Sequence, residues 1–259
     1  MKRFVNFIIY AILILCSAAV IAPVLYTVIR SVWGGSGGGV SLDGYKEVFL
    51  YTPGYLIKFW NSMLISSLIT VGQVILGCLG GYGFAKFNFP LKNVIFYLMI
   101  ILMMMPLQVT LVPNYIVLDK MNLIGSYTGL ILTGICSTFG VFLMTQIFSS
   151  VPSSIIEAAK LDGANQLQIL FKIVLPYSKN GIASLAILSF IDNWNMVEQP
   201  LVFLKDRLKY PLSVFLAGIK GNADPATFVC SVMTIVPVFF LFMYLKDALI
   251  SGIETGSVK

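Results

Sequence analysis

Six residues within one short stretch of a strongly apolar run are where this chain could do chemistry: Asp192, Asn193, Trp194, Asn195, Glu198 and Gln199. A charged side chain near the centre of a bilayer costs roughly 2.5–3.5 kcal/mol on insertion scales, so two acids this close are not expected to face lipid. On a continuous helix Asp192, Asn195 and Gln199 stand at i, i+3 and i+7 and share one face, which must look into protein or water. Planar hydrogen-bonding groups beside an indole ring suit the binding of sugars. Other chemistries are excluded or weak. With no histidine in the chain, a His-based metal site, general base or triad is impossible. Cys16, Cys78, Cys136 and Cys230 sit in apolar runs without metal-like spacing and read as small hydrophobes. The glycine-rich run at 34–39, GGSGGG, is followed by Val40 and Ser41 instead of the Lys and Ser or Thr that a phosphate-cradling loop needs. It is a linker.

The elements that must position these residues are membrane helices. Of 259 residues 58% are hydrophobic and 11% charged, against about 25% charged in soluble domains. Crossing the hydrocarbon core takes about 20 apolar residues, and the chain divides into six such runs, at about 4–29, 61–84, 94–117, 128–148, 181–203 and 227–244. The expected fold is an all-α polytopic membrane protein, one transmembrane domain over 1–259. Its first run is too long for a cleaved signal core, and Leu15 before Cys16 argues against a lipoprotein site. The net charge of +6 comes from scattered Lys and Arg, with Lys205, Arg207 and Lys209 the one close trio. That pattern fits lipid headgroups and not nucleic acid.

Within the spans, Gly77 and Gly81 form a GxxxG pair expected to admit a packed helix. Pro106 and Pro113 in the third run suggest a broken or bent helix of the kind that lines a pathway. Residues 43–58 mix aromatics with charges, as a short interfacial helix and turn would. Six spans put both termini on one side. The seventeen Lys and Arg divide nine to eight between the two sides, so charge counting hardly orients the chain.

One long polar segment remains, 149–180. Pro152 should close the preceding helix, and Ser154 with Glu157 reads as a capping box opening a short helix near Ile155, with Ile155, Ile156 and Ala159 on one side. Gly163 should end it in the left-handed conformation. Asn165 can cap a second helix from about Gln166 to Val174, ended before Pro176. The product is a helix-turn-helix that presents small side chains such as Ala158 and Ala159, where another protein can come close.

The order Glu157-Ala158-Ala159, then Gly163, then Ile173-Val174-Leu175-Pro176, resembles the EAA loop of ABC-importer permeases with its spacing intact. The runs MMMPLQVTLVPNYIVL, GLIL, FGVFLM and the terminal GSVK resemble the sugar-importing branch, in particular its maltose-type second permease. The resemblance implies a cytoplasmic coupling loop whose Glu157, Ala158, Ala159, Gly163, Ile173, Leu175 and Pro176 dock an ATPase. It places both termini in the cytoplasm of a cell whose inner membrane holds the chain. It implies no cofactor on this chain, with ATP and Mg on partner ATPase subunits, and as partners a second permease, an ABC ATPase dimer and an external substrate-binding protein. Gly256 and Lys259 of the tail would lie against the ATPases. The polar face at Asp192 to Gln199 would then line a translocation path for a sugar or oligosaccharide, or clamp the second permease. At Glu198-Gln199 the chain departs from the more apolar stretch of that family. An importer for a non-sugar solute and an ion-coupled secondary transporter are the alternatives; the latter would favour inverted repeats, of which the sequence carries no sign.

Overall fold

The computed structural model describes residues 2–33, 39–219 and 224–257, and they are helical throughout apart from turns and one isolated bridge, between Trp33 and Val40. The first helix, α1 (Lys2–Val32), carries Pro23 in its interior and its side chains point mostly outward, as lipid-facing residues do. A one-turn helix α2 (Asp43–Lys46) and a wide turn (Glu47–Tyr51) follow. They lead into α3 (Pro53–Lys86), whose 34 residues extend about 51 Å at 1.5 Å per residue. The expected interfacial helix at 43–58 is therefore only half present: from Pro53 onward its residues belong to the long span. Pro53 explains the junction, because proline at a first helical position loses no bond and presets φ.

Next come α4 (Lys92–Met103) and α5 (Leu107–Lys120), bent by 104° to one another. The break falls at Pro106, whose extended ψ of 142° ends one helix and caps the next. Pro113 lies inside α5 without breaking it. Then α6 (Tyr127–Ile135) and α7 (Thr138–Ser149) form one span interrupted at Cys136, which makes an inverse γ-turn (φ −77°, ψ 67°); Ser137 N–H donates to the Ile135 carbonyl at 2.9 Å. After the polar segment with α8 (Ser153–Leu161), α9 (Gln166–Ile169) and α10 (Leu175–Tyr177), the chain enters α11 (Lys179–Trp194). Short helices α12 (Glu198–Phe203) and α13 (Leu212–Ala217) precede the final α14 (Pro225–Ser257). Among the described residues four stretches are long and apolar enough to cross a membrane, and up to six if each bent pair counts as one span.

Helix α3 is the axis of the fold. Three buried clusters are strung along it: Phe59 and Tyr55 with Val48, Leu212 and Val229 at one end, Ile65 and Ile69 with Leu118, Leu130 and Phe203 in the middle, and Cys78 and Tyr82 with Met144, Phe148 and Leu185 at the other. Glycines let its neighbours approach. A Cβ on Gly81 would lie 2.5 Å from Met144 Cβ, and one on Gly77 would lie 3.1 Å from the Gly140 backbone, both on α7. One element differs from the sequence pattern at the far end: α14 continues past the sixth apolar run to Ser257, so Gly256 is helical. Lys259 lies outside the described residues.

Candidate functional site: a cavity at three helix breaks and an outward helix-turn-helix

The polar patch does not lie on one helix. α11 stops at Trp194, Asn195 caps it with its backbone N–H on the Ile191 carbonyl, and α12 starts only at Glu198. The expected fifth span 181–203 and its i, i+3, i+7 face are thus interrupted. The physical cause is Pro200: in an unbroken helix its ring would press on the Met196 carbonyl four residues earlier, so the helix stops short and Pro200 falls in the first turn of α12, where no backbone N–H is needed. Asn195 closes the end by donating its side-chain amide to the Ile191 carbonyl at 2.8 Å. At 16 residues α11 rises about 24 Å, less than the roughly 30 Å hydrocarbon core. The break therefore falls at membrane depth.

The residues still converge. Asp192, Asn193 and Gln199 line a cavity of about 360 Å³ with Gln73, Thr110 and Asn114. Asp192, Asn193, Asn195, Glu198 and Gln199 line an adjoining one of about 440 Å³. Leu102 and Leu107 from the α4–α5 break, Cys136 and Ser137 from the α6–α7 break, and Met196 from the α11–α12 break all line the first. Three interrupted helices thus bring their interruptions to one space. Irregular backbone at membrane depth is tolerated where it lines a cavity or is buried in protein, and this one is half polar. A buried ladder fixes its wall: Asn193 donates to the Ser189 carbonyl at 2.6 Å and reaches Gln73 Oε1 at 3.4 Å, while Gln73 Nε2 donates to the Gly134 carbonyl at 2.7 Å. Glu198, which lines the second cavity, accepts from Gln108 Nε2 at both carboxylate oxygens, at 3.0 and 3.1 Å.

Trp194 is absent from both linings. Its ring is buried at 1% exposure, stacks on Phe190, meets Phe59 edge-on and donates its indole N–H to the Thr234 carbonyl at 3.1 Å. It is a packing residue that ties α11 to α14, and cannot stack on a solute in this arrangement. Gln73, Gln108, Thr110 and Asn114 were missed as candidates. The signal was present, since Gln73 and Asn114 are polar amides inside apolar runs, as Asn193 is.

The second assembly is the polar segment. α8 ends in a Schellman turn: Gly163 adopts φ +83°, its N–H bonds the Lys160 carbonyl at 3.1 Å and the Ala164 N–H bonds the Ala159 carbonyl at 3.0 Å. Asn165 and Gln168 make a reciprocal capping box, 2.8 and 2.9 Å. Two expectations need correction. Ser154 lies within the first turn of α8, where Pro152 occupies the cap position without a side-chain bond, so the Ser154–Glu157 capping box does not form. The second helix also runs through Pro176 to Tyr177, by way of a wide turn at Leu170–Val174. Pro176 would otherwise press on the Lys172 carbonyl four residues earlier, and widening the turn relieves that contact.

Inward, Ile156, Ile169, Leu170 and Val174 anchor the segment in the cluster around Tyr82 and Phe148. Outward stand Glu157, Ala158, Gly163 and Pro176, while Ala159, Ile173 and Leu175 are half-buried. Ile155 is not on the packed side; it is 40% exposed. Nor are the outward residues only small. Leu161 is 90% exposed and Leu167 and Phe171 are exposed as well, an apolar surface beside an acid. The end of α3 clasps the segment twice: Lys86 Nζ donates to the Val151 carbonyl at 2.7 Å and the Tyr82 hydroxyl to Gln166 Oε1 at 3.0 Å.

Comparison with known proteins decides the family. Residues 73–255 match the model of the binding-protein-dependent transport system inner membrane component. The chain belongs to that family. It is accordingly a multi-pass inner-membrane protein, a permease subunit of a binding-protein-dependent ABC importer and a transporter component, not an enzyme. Such a subunit works with a partner permease, an ATPase and a substrate-binding protein. The chain is 32% identical over 223 residues, 85% of its length and 79% of the relative's, to the arabinooligosaccharides transport system permease protein AraQ of Bacillus subtilis. It is 31% identical over 221 residues, 80% of this chain and 78% of the relative, to the sn-glycerol-3-phosphate transport system permease protein UgpE of Pectobacterium atrosepticum. Among solved structures, a chain of a bacterial ABC transporter involved in the import of the acidic polysaccharide alginate superposes with a TM-score of 0.85 at 22% identity, over 95% of this chain and 96% of that one. The expected six-span permease fold and the ABC-permease resemblance agree with these findings, and the family membership sets the ion-coupled transporter aside.

Proposed function

We propose that this permease serves an importer of a sugar or oligosaccharide, paired with a second permease, and that its polar cavity lines the path while its helix-turn-helix receives the ATPase. The observation that carries the path reading is the meeting of three helix breaks in one polar cavity within a lipid-exposed bundle. Asp192, Asn193, Asn195, Glu198 and Gln199 supply groups that exchange hydrogen bonds with hydroxyls, and Gln73 and Asn114 extend them. The names of several relatives, which specify saccharides or a polyol phosphate, support a polyhydroxylated solute.

Docking is supported by the outward Glu157, Ala158 and Gly163, a rigid Schellman turn and the uncovered Leu161, Leu167 and Phe171. With a soluble motor on that side, the segment, the N-terminus and the C-terminal tail with Gly256 and Lys259 lie in the cytoplasm, ATP and Mg being held by the motor. ATP-driven closure moves the docked segment, and through its clasp on α3 the cavity alternates between the two sides of the membrane. The test is uptake by the complete importer in proteoliposomes. Replacing Asp192 and Asn195 together by alanine is expected to lower uptake or change preference among saccharides; unchanged rate and preference would refute the path reading.

A further inference from the structure

We infer that the cavity repels anions, so that the solute this permease passes is an uncharged polyhydroxylated compound and not a phosphorylated or uronic one. This deepens the path reading and rests on it. The two adjoining cavities share Leu107, Asp192, Asn193, Met196 and Gln199, and the second adds Glu198. Neither is lined by a lysine or arginine, and neither carboxylate has a cation within ion-pair distance among the described residues. Glu198 is held by the neutral amide of Gln108, which fixes the carboxylate without cancelling its charge. The rest of the polar lining is amide and hydroxyl.

Two uncompensated carboxylates between apolar helices act on a solute more strongly than in open water, because low-dielectric walls focus the field. A phosphate or uronate would have to leave its hydration shell to enter beside them. Proteins that hold such groups supply arginine or lysine, and this lining supplies none. An uncharged saccharide meets no such barrier and finds acceptors in Asp192 and Glu198 and donors in Asn114 and Gln199. The proposal separates this chain from its relatives named for sn-glycerol-3-phosphate and from the neighbour involved in alginate import, and aligns it with those named for arabinooligosaccharides.

Cys136 is a native reporter, since it is exposed and lines the first cavity. In the assembled importer carrying Cys16→Ser, which removes the other exposed thiol, membranes are treated with methanethiosulfonates bearing either a trimethylammonium or a sulfonate group. Modification of the Cys136 peptide is followed by mass spectrometry, without nucleotide and with ATP bound. Rates are divided by those for a small free thiol. The cationic reagent is expected to react faster by about tenfold or more, in keeping with the focusing of counter-ions in charged clefts. The ratio should fall towards one when Asp192→Asn and Glu198→Gln are combined. A reactive Cys136 with no cation preference, or with a preference that the double variant leaves unchanged, overturns the inference while the path reading stands. A Cys136 that neither reagent modifies in either nucleotide state removes the water-filled path itself, and the inference with it.

Discussion

Two glycines two residues apart on α3 should respond to the same substitution with opposite sign. At Gly83 an added Cβ meets nothing within 4 Å, so Gly83→Ala acts only through backbone freedom and helix propensity and should stabilise by about 0.5–1 kcal/mol. At Gly81 the same methyl would stand 2.5 Å from Met144 Cβ, 2.8 Å from the Met144 carbonyl carbon and 2.9 Å from the Thr145 nitrogen. Two of these are backbone atoms of α7 and cannot rotate away, so α3 and α7 must separate along a seam that also holds Gly77 against Gly140. Overpacking of this kind costs about 1–3 kcal/mol, and the propensity gain offsets only part of it. Because that gain is common to both, the variants should differ by the overpacking cost itself, about 1–3 kcal/mol, which at about 2–4 °C per kcal/mol for a chain of this size is roughly 2–12 °C in unfolding midpoint. The measurement is thermal unfolding of the purified importer in detergent, all variants at one scan rate because membrane complexes unfold irreversibly. Equal midpoints for Gly81→Ala and Gly83→Ala would show that α3 and α7 do not meet at Gly81.

Gly163→Ala creates no clash but forces an L-residue to φ +83° at a cost of about 1–2 kcal/mol; ATP hydrolysed per solute imported should rise, whereas an unchanged ratio would refute the fixed docking turn. Glu157→Lys, which reverses the charge at the rim of that surface, should weaken copurification of the ATPase. Lys86→Met with Tyr82→Phe removes both ties between α3 and the segment, and should lower coupling while nucleotide binding by the ATPase stays the same. Trp194→Phe loses the bond to Thr234 at about 1 kcal/mol, so the midpoint should fall with solute preference unchanged; an altered preference would return Trp194 to the path.

Much of the fold was legible because a bilayer imposes a length on every apolar run, and the polar segment 149–180 stood out by contrast. Gly163 and Asn165 declared themselves because few residues adopt positive φ or cap a helix. Ser154 misled because Pro152, two residues earlier and extended at ψ 133°, takes the cap position and leaves Ser154 inside the first turn. The break after Trp194 had a signal of its own in Pro200, which no continuous helix over Met196 can accommodate, but the polar residues at 192–199 were read as one unbroken face. Periodicity placed Trp194 beside Asp192 and Asn195 in a polar group, but burial is decided by α14, more than thirty residues further on. The cavity itself is invisible in any one stretch of sequence, since its walls come from interruptions in three spans.

The clasp, the cavity wall and the opposite loop are all fastened to one helix. Tyr82 and Lys86 hold the outward segment, Gln73 holds Asn193 and Gly134, and at the other end Ser62 Oγ accepts the Leu212 N–H at 2.8 Å while Asn61 binds the Leu208 carbonyl and the Tyr127 hydroxyl. α3 has no proline beyond its first turn and no internal break, so it is stiffer than the interrupted spans around it. A push on α8 through α10 therefore reaches Gln73 as a displacement of a rod, with no flexible link to absorb it. Three of the surrounding spans yield at a defined point, Pro106, Cys136 or Asn195, and Leu107, Cys136 and Asn195 line the two cavities. Rigidity in one helix and breaks in three others are complementary: the first carries the movement, and the second lets the walls of the cavity respond to it.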